Sequence, residues 1–265
     1  MMLAQRHPHP RDSCISFEPG PHKYTITTRE KEKDKHDDYV SVTTWNHSHF
    51  KEFDPDAVLA KMNLQNPKSK YFGQTPAQIK TGWEENRQSA AALGTTMHAL
   101  IEAYYNEEGH TPLLTVRMQC KEMHLFQEFV QAHPHLEPYR SEWMIFHEEW
   151  RLAGAVDMVF RNTTDGTFHI YDWKRCKQIQ KTNAFNECAL TACIADYPDT
   201  NYWHYALQLN TYKAILEAKY GLHIADLCLV ILHPDQERFI VQRLPILQSI
   251  HELLELRRKA LTESI

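Results

Sequence analysis

The stretch G-A-V-D-M-V-F-R-N-T-T-D-G-T-F-H-I-Y-D-W-K, residues 154–174, reads as a β-hairpin. Residues 152–160 are apolar enough for a buried strand. Residues 162–166 form a polar turn ending in Asp165-Gly166, and 167–173 make a second strand. Side chains alternate along a strand, so Asp172 and Lys174 leave the same face. If the strands pair around the turn, Asp157 comes close to Asp172. Two carboxylates and a lysine then meet at one end of an apolar hairpin. Burying such a cluster costs free energy unless something neutralises it, and a divalent cation is the obvious partner. The triplet Asp172-x-Lys174 alone is equally an ordinary strand-end ion pair. The rest of the chain has to decide between the two.

Outward from the hairpin, an acid on the preceding predicted strand (141–146), Glu142, is either a buried or rim acid of that strand or a solvent-facing edge residue. Further back, Thr75-Pro76-Ala77-Gln78 is a helix start: threonine caps, proline takes the first position and Gln78 closes a capping box. The helix behind it carries Trp83, Met97 and Ile101 at helical period, with a break expected near Gly94. His98 and Glu102 share one of its faces, which suits a metal ligand and suits a plain contact one turn apart. A further helix is expected over 117–132, stopped before Pro134. After Lys174, residues 175–199 lack periodicity apart from a turn of helix around 184–194; beside a site, they read as a lid or substrate-contacting loop. Residues 201–220 form a strong helix ended at Gly221, with Gln208 and Tyr212 one turn apart on it. Strands at 227–232 and 239–243 and a helix over 245–259 close the chain.

The N-terminal third shows no obvious chemistry. Strands are expected at 16–28 and 39–42 around a charged tip at 29–38. A short helix through Phe50 would be capped by Thr43 or Thr44, and another announced by Asp54-Pro55. Residues 1–75 thus read as an accessory segment packed on a core spanning 76–265. The order of elements implies an α/β fold with a mixed central sheet flanked by helices.

Composition sets bounds. The 265 residues are 42% hydrophobic and 24% charged, with a net charge of −5, so the chain is not a basic nucleic-acid coat. A local basic groove around Lys174, Arg175, Lys177 and Lys181 is compatible with that. No apolar run approaches a membrane span, and the N-terminus is a poor signal peptide, so no membrane partner is expected. Six scattered cysteines form no C-x-x-C pair and point to an intracellular, reducing compartment. The 17 histidines do not cluster like zinc ligands.

Five features now stand in order: G-T-T-M-H (Gly94 to His98), a strand glutamate (Glu142), G-A-V-D (Gly154 to Asp157), D-W-K (Asp172 to Lys174) and Q-L-N-T-Y (Gln208 to Tyr212). Their order resembles the RecB-like, lambda-exonuclease-like branch of the PD-(D/E)XK nuclease superfamily, over about residues 90–215. The F-x₄-H-K-Y run at 17–24 and the Y-x-G-x-T-P run at 71–76 look like a smaller lineage of such nucleases in large DNA viruses and some eukaryotes. The resemblance implies a restriction-endonuclease-like core. It also implies a Mg²⁺- or Mn²⁺-dependent DNA exonuclease that leaves 5′-phosphate products in recombination, repair or replication. By the same resemblance, Asp157 and Asp172 bind the metal with the Trp173 backbone carbonyl, His98 and Glu142. Lys174 orients or deprotonates the attacking water, or steadies transition-state charge; independently of the resemblance, a lysine held near a metal can have a lowered pKa and act as base. Gln208 and Tyr212 contact the nucleic-acid backbone or brace the site. Arg175 stands where this branch often has threonine, so a substrate contact differs there. Some relatives hold an iron–sulfur cluster, but beyond Tyr212 only Cys228 remains as a ligand, so none is expected.

The chemistry has its own logic. Phosphodiester hydrolysis needs a nucleophile at neutral pH and neutralisation of a pentavalent transition state, both of which a metal supplies. Oxygen ligands favour Mg²⁺ or Mn²⁺, and a histidine leans toward Mn²⁺. The rival readings are a structure-selective endonuclease on the same site and a nucleic-acid-binding module without turnover. The intact Asp157, Asp172 and Lys174 argue against the latter.

Overall fold

The computed structural model describes residues 1–27, 35, 36, 39–106 and 119–263. Most of the predicted charged tip at 29–38, and the first residues of the helix expected from 117, lie outside them. The described chain is an α/β structure with a mixed sheet flanked by helices.

The N-terminal elements are α1 (Leu3–Arg6), β1 (Ile15–Glu18), β2 (Lys23–Thr27), β3 (Lys35–His36), β4 (Val40–Ser41), α2 (Val42–His47) and α3 (Pro55–Ala60). They are followed by α4 (Pro76–Asn106), α5 (Lys121–Ala132), β5 (Leu136–His147), β6 (Leu152–Asn162) and β7 (Phe168–Lys174). The chain ends with α6 (Asn201–Lys219), β8 (Ile224–Ile231), β9 (Ile240–Arg243) and α7 (Ser249–Glu263). Strands β1, β2 and β3 form a small antiparallel sheet. The main sheet runs β4-β6-β7-β8-β9, with β5 paired to β6 on its other edge.

The predicted hairpin is β6–β7, with Met158 opposite Tyr171 and Phe160 opposite His169. Its turn closes through Gly166, at φ +75°, whose N–H donates to Asn162 O at 2.8 Å. Strand β7 then runs parallel to β8, which leaves antiparallel β9 at the edge. Strand β5 is paired along almost the whole of β6, from Leu136 opposite Asn162 to His147 opposite Leu152. The opposite edge of β6 is shared. Parallel β4 takes Leu152 and Ala153, and β7 takes Met158 to Arg161. Between them, residues 154–157 face a fork in the sheet. The site lies in that fork.

Two apolar layers cover the sheet. On one side Val159, Ile170 and Leu229 pack against α2, α6 and α7; on the other Phe160, Tyr171, Trp173 and Val230 pack against α4 and α5. Aromatic edges dominate the second layer, with Phe126 and Phe129 at 5.6 and 5.5 Å from the Trp173 ring. On β6 the two-residue alternation breaks at Asp157: Val156 joins the first layer and Met158 the second. Across from that break Glu142 has φ +43°, a left-handed conformation unusual for a side-chain-bearing strand residue.

Local chemistry sets several boundaries differently from expectation. Helix α2 is capped by Ser41, whose Oγ accepts from Thr44 N at 3.0 Å, rather than by a threonine. Ser41 ends β4 in extended conformation, which is the backbone a cap needs. Strand β4 itself pairs with β6 instead of returning along β2. The Thr75–Gln78 capping box forms as expected, with Thr75 N donating to Gln78 Oε1 at 2.8 Å and Gln78 N to Thr75 Oγ1 at 3.3 Å. Helix α4 passes Gly94 without a break; one glycine costs only about 1 kcal/mol in a helix. Over 175–199 the only helical turn is a 3₁₀ turn, Ala192–Ile194. The rest is held irregular by Asn183, whose amide bonds the backbone of Glu187 and Asp199. The last helix starts at Ser249, later than Pro245. The buried Asn210 amide donates to Pro245 O and accepts from Leu247 N, holding that segment out of the helix.

The N-terminal segment is tied to the core by Asp12, which accepts from Arg140 Nη1 and Trp143 Nε1 at 2.9 Å each. All six cysteines are free thiols. Among the described residues no helix is long and apolar enough to cross a membrane.

Candidate functional site

The site is built from four elements around the fork. Strand β7 contributes Asp172 and Lys174, which leave its α6 face as their spacing requires; Lys174 Nζ lies 2.6 Å from Asp172 Oδ2. Asp172 is only 2% exposed, so this pair is an interior one. Strand β6 contributes Asp157, in line with Asp172 across the hairpin. Its Oδ2 accepts from Trp173 N at 2.9 Å, so a side chain replaces the ladder bond that the widening strands no longer make.

From α4, His98 reaches across to the strands. Its Nε2 bonds the Trp173 carbonyl at 2.9 Å, and Nδ1 lies 3.5 Å from Glu142 Oε1 and 3.6 Å from Asp157 Oδ2. With Nε2–H given to the carbonyl, Nδ1 is the nitrogen turned to the acids. One donor atom each from His98, Glu142 and Asp157 falls within 4.8 Å of the others, a spacing that could hold a metal ion. Glu142 belongs to this group because its left-handed backbone occurs where β5 faces the break in β6. Asp172 lies outside this trio, its carboxylate engaged by Lys174. The acid that accompanies His98 is therefore not Glu102, its neighbour one turn along α4.

Helix α6 closes the other side. Lys174 Nζ sits 4.4 Å from the centroid of the Tyr205 ring, a cation–π contact. Gln208 Nε2 donates to Tyr212 OH at 3.2 Å, and the buried Tyr212 ring packs on Gly154. This pair braces the site; Tyr212, 3% exposed, is not placed to meet a ligand. Arg175 is not brought into the group. It pairs with Glu122 of α5 at 2.8 Å.

Charge balance shapes the titration of Asp157, Asp172, His98 and Lys174. Burial pushes the Asp157 carboxyl above its usual range against the pull of His98 and Lys174. Burial, then the charge of Asp157, raises Asp172 against the pull of Lys174. Burial alone would lower His98, but Asp157, Glu142 and Asp172 hold it up at about 9. Lys174 is likewise held above its ordinary value, because Asp172 and Asp157 outweigh burial. Among the protein's own groups, Lys174 is an ammonium that donates.

Two features of the site were missed by sequence reasoning. Tyr205 received no role from the sequence. The N-terminal hairpin, credited with no chemistry, walls the site: Phe17 and Tyr24 line a cleft of about 500 Å³ with Thr95, His98, Glu142 and Met144. The one signal was the F-x₄-H-K-Y run that contains both aromatics. No protein-family model matches the chain, and no curated protein resembles it significantly.

Proposed function

We propose that the protein is a Mg²⁺- or Mn²⁺-dependent deoxyribonuclease with a restriction-endonuclease-like core, acting as an exonuclease. One observation carries this reading: His98, Glu142 and Asp157 converge within 4.8 Å beside the buried Lys174–Asp172 pair. A structural salt bridge would need neither the imidazole nor the third acid. The donor set fits a hard divalent cation, two carboxylates and one imidazole, all partly shielded from solvent.

Asp157, Glu142 and His98 would hold the ion, with Asp172 adjoining. When bound, it would supply a water of lowered pKa and polarise a phosphate oxygen. The remaining work falls to the chain. Lys174, kept protonated by Asp172 and Asp157, donates to a phosphoryl oxygen as charge builds there. Tyr205 lies against its ammonium and holds it over the site. Trp173 N–H fixes one Asp157 oxygen and so orients the carboxylate. Tyr212, wedged at Gly154 and held by Gln208, keeps β6 and α6 in register behind it. DNA is the partner this reading requires, with scission leaving a 5′ phosphate.

The test is digestion of end-labelled linear single- and double-stranded DNA beside a closed circle, in Mg²⁺, Mn²⁺ or EDTA. The expected result is metal-dependent loss of the linear substrates, a spared circle and a dead Asp172→Ala variant. Cutting of the circle would make the enzyme an endonuclease on the same residues. Absence of cleavage in every condition would sink the nuclease reading.

A further inference from the structure

Between the end of α2 and helix α7 lies a cleft of about 380 Å³, with Thr191 completing its wall. It shares no residue with the His98–Lys174 site. One side is apolar, made by Trp45 of α2 and by Leu253, Leu256 and Leu261 of α7. The polar lining is Ser48, His49, Thr191 and Arg257, with no acid and no amide among the lining side chains. Leu256 is 44% exposed here, although its neighbour Leu253 is buried.

Arg257 is the unusual member. Its guanidinium lies 5.7 Å from the centroid of the Trp45 ring, and the residue is half-buried. Part of the fork is used: Nε donates to Trp150 O at 2.5 Å and Nη2 to Arg151 O at 3.2 Å. Those are neutral carbonyls. Among the described residues Arg257 has no carboxylate partner, whereas Arg258 beside it pairs with Glu255 at 2.7 Å. Burial pushes the Arg257 pKa down to about 10, and no acid offsets that. His49 adds no second charge, because burial and then the charge of Arg257 push its pKa down to about 4. Its Nδ1 is bound to Thr191 Oγ1 at 2.8 Å. A half-buried cation without a counter-charge costs free energy, and so does leucine surface left in water. One ligand would relieve both.

We propose that this cleft binds an aliphatic carboxylate, with its head on Arg257 and its tail along Leu253, Leu256 and Leu261. A planar carboxylate matches the guanidinium fork, whose Nη1 makes no hydrogen bond within the chain. The lining decides between anions. Inorganic phosphate would use the arginine and leave the leucines uncovered. A nucleotide would bring a base whose amino groups need acceptors, and the lining has no acid or amide side chain to accept from them. A carboxylate on a hydrocarbon tail uses both halves of the cleft.

The test is calorimetric titration of the full chain with octanoate, with octanol and with inorganic phosphate. Octanoate should bind saturably, one per chain. Octanol, which lacks the charge, and phosphate, which lacks the tail, should each bind about tenfold more weakly or worse. Arg257→Met keeps the apolar stem and removes the charge, and should weaken octanoate about tenfold or more. It also removes two backbone contacts, so a second variant leaves them in place. Leu256→Glu changes an exposed side chain, sets a carboxylate beside Arg257, and should weaken octanoate to the same degree. Unchanged melting temperatures would show that the variants fold, and if Arg257→Met melts early, Leu256→Glu decides alone. No saturable octanoate binding, phosphate binding as tight as octanoate, or wild-type octanoate affinity in Leu256→Glu would each overturn the assignment.

Discussion

A Cβ built on Gly154 would lie 2.7 Å from Cε1 of Tyr212, closer than two carbons approach. Gly154 is thus the opening through which the α6 ring reaches β6, three residues before Asp157. Gly154→Ala should displace the ring and destabilise the fold by about 1–3 kcal/mol, the usual cost of overpacking. Urea unfolding of the single and of the Gly154→Ala/Tyr212→Leu double variant checks this. The double should recover part of the loss, and additive losses would mean the two residues are not in conflict.

Lys174 and Asp172 stand or fall together. Lys174→Met leaves a carboxylate that is 2% exposed without its counter-charge, and should cost about 3–5 kcal/mol. Adding Asp172→Asn removes the stranded charge and should restore most of that stability. Cleavage should be lost in both variants, with DNA binding largely kept. A Lys174→Met enzyme that turned over at the wild-type rate would remove Lys174 from the mechanism.

Divalent-ion binding should depend on the trio. Calorimetric titration with Mn²⁺ should show one of its ligands, Asp157, contributing at least about tenfold to affinity, or about 1.4 kcal/mol. Asp157→Asn keeps the shape and the acceptor to Trp173 N–H while removing the charge. An unaltered Mn²⁺ isotherm would contradict the assignment.

Acid stability should be set in part away from the site, at His147. Its ring is 4% exposed, stacks on Trp150 at 3.5 Å and leaves Nδ1 without a hydrogen-bond partner. Burial, reinforced by the charge of Lys219, pushes its pKa down to about 3. The unfolded chain, near 6.5, binds the proton first. The contribution is therefore full above about pH 6.5 and is lost as the pH falls from there toward 3. His147→Phe keeps the ring stack and cannot titrate. Its thermal midpoint should fall less between pH 7 and 4.5 than that of the wild type, by a margin worth on the order of 2–3 kcal/mol. Parallel acid limbs would exclude His147 as a source.

The sequence by itself determined the local pieces. Alternation placed Asp172 and Lys174 on one face, Asp165-Gly166 closed the turn, and Thr75-Pro76 with Gln78 started α4; each depends on neighbours a few residues away. Motif order also named the residues that meet at the site. What it left undecided were distances between elements far apart in the chain. Whether His98 turns to Glu102 or to Glu142 depends on where α4 docks, and α4 docks through Met97 and Ile101 against the sheet's second layer. Glu142 enters the trio through a left-handed backbone opposite the break in β6, and no residue type announces that conformation. The balance of charges around Lys174 lay beyond the sequence for the same reason. A pKa responds to the sum of burial and every charge within reach, and only the assembled fold fixes how close Asp172 and Asp157 come to that ammonium.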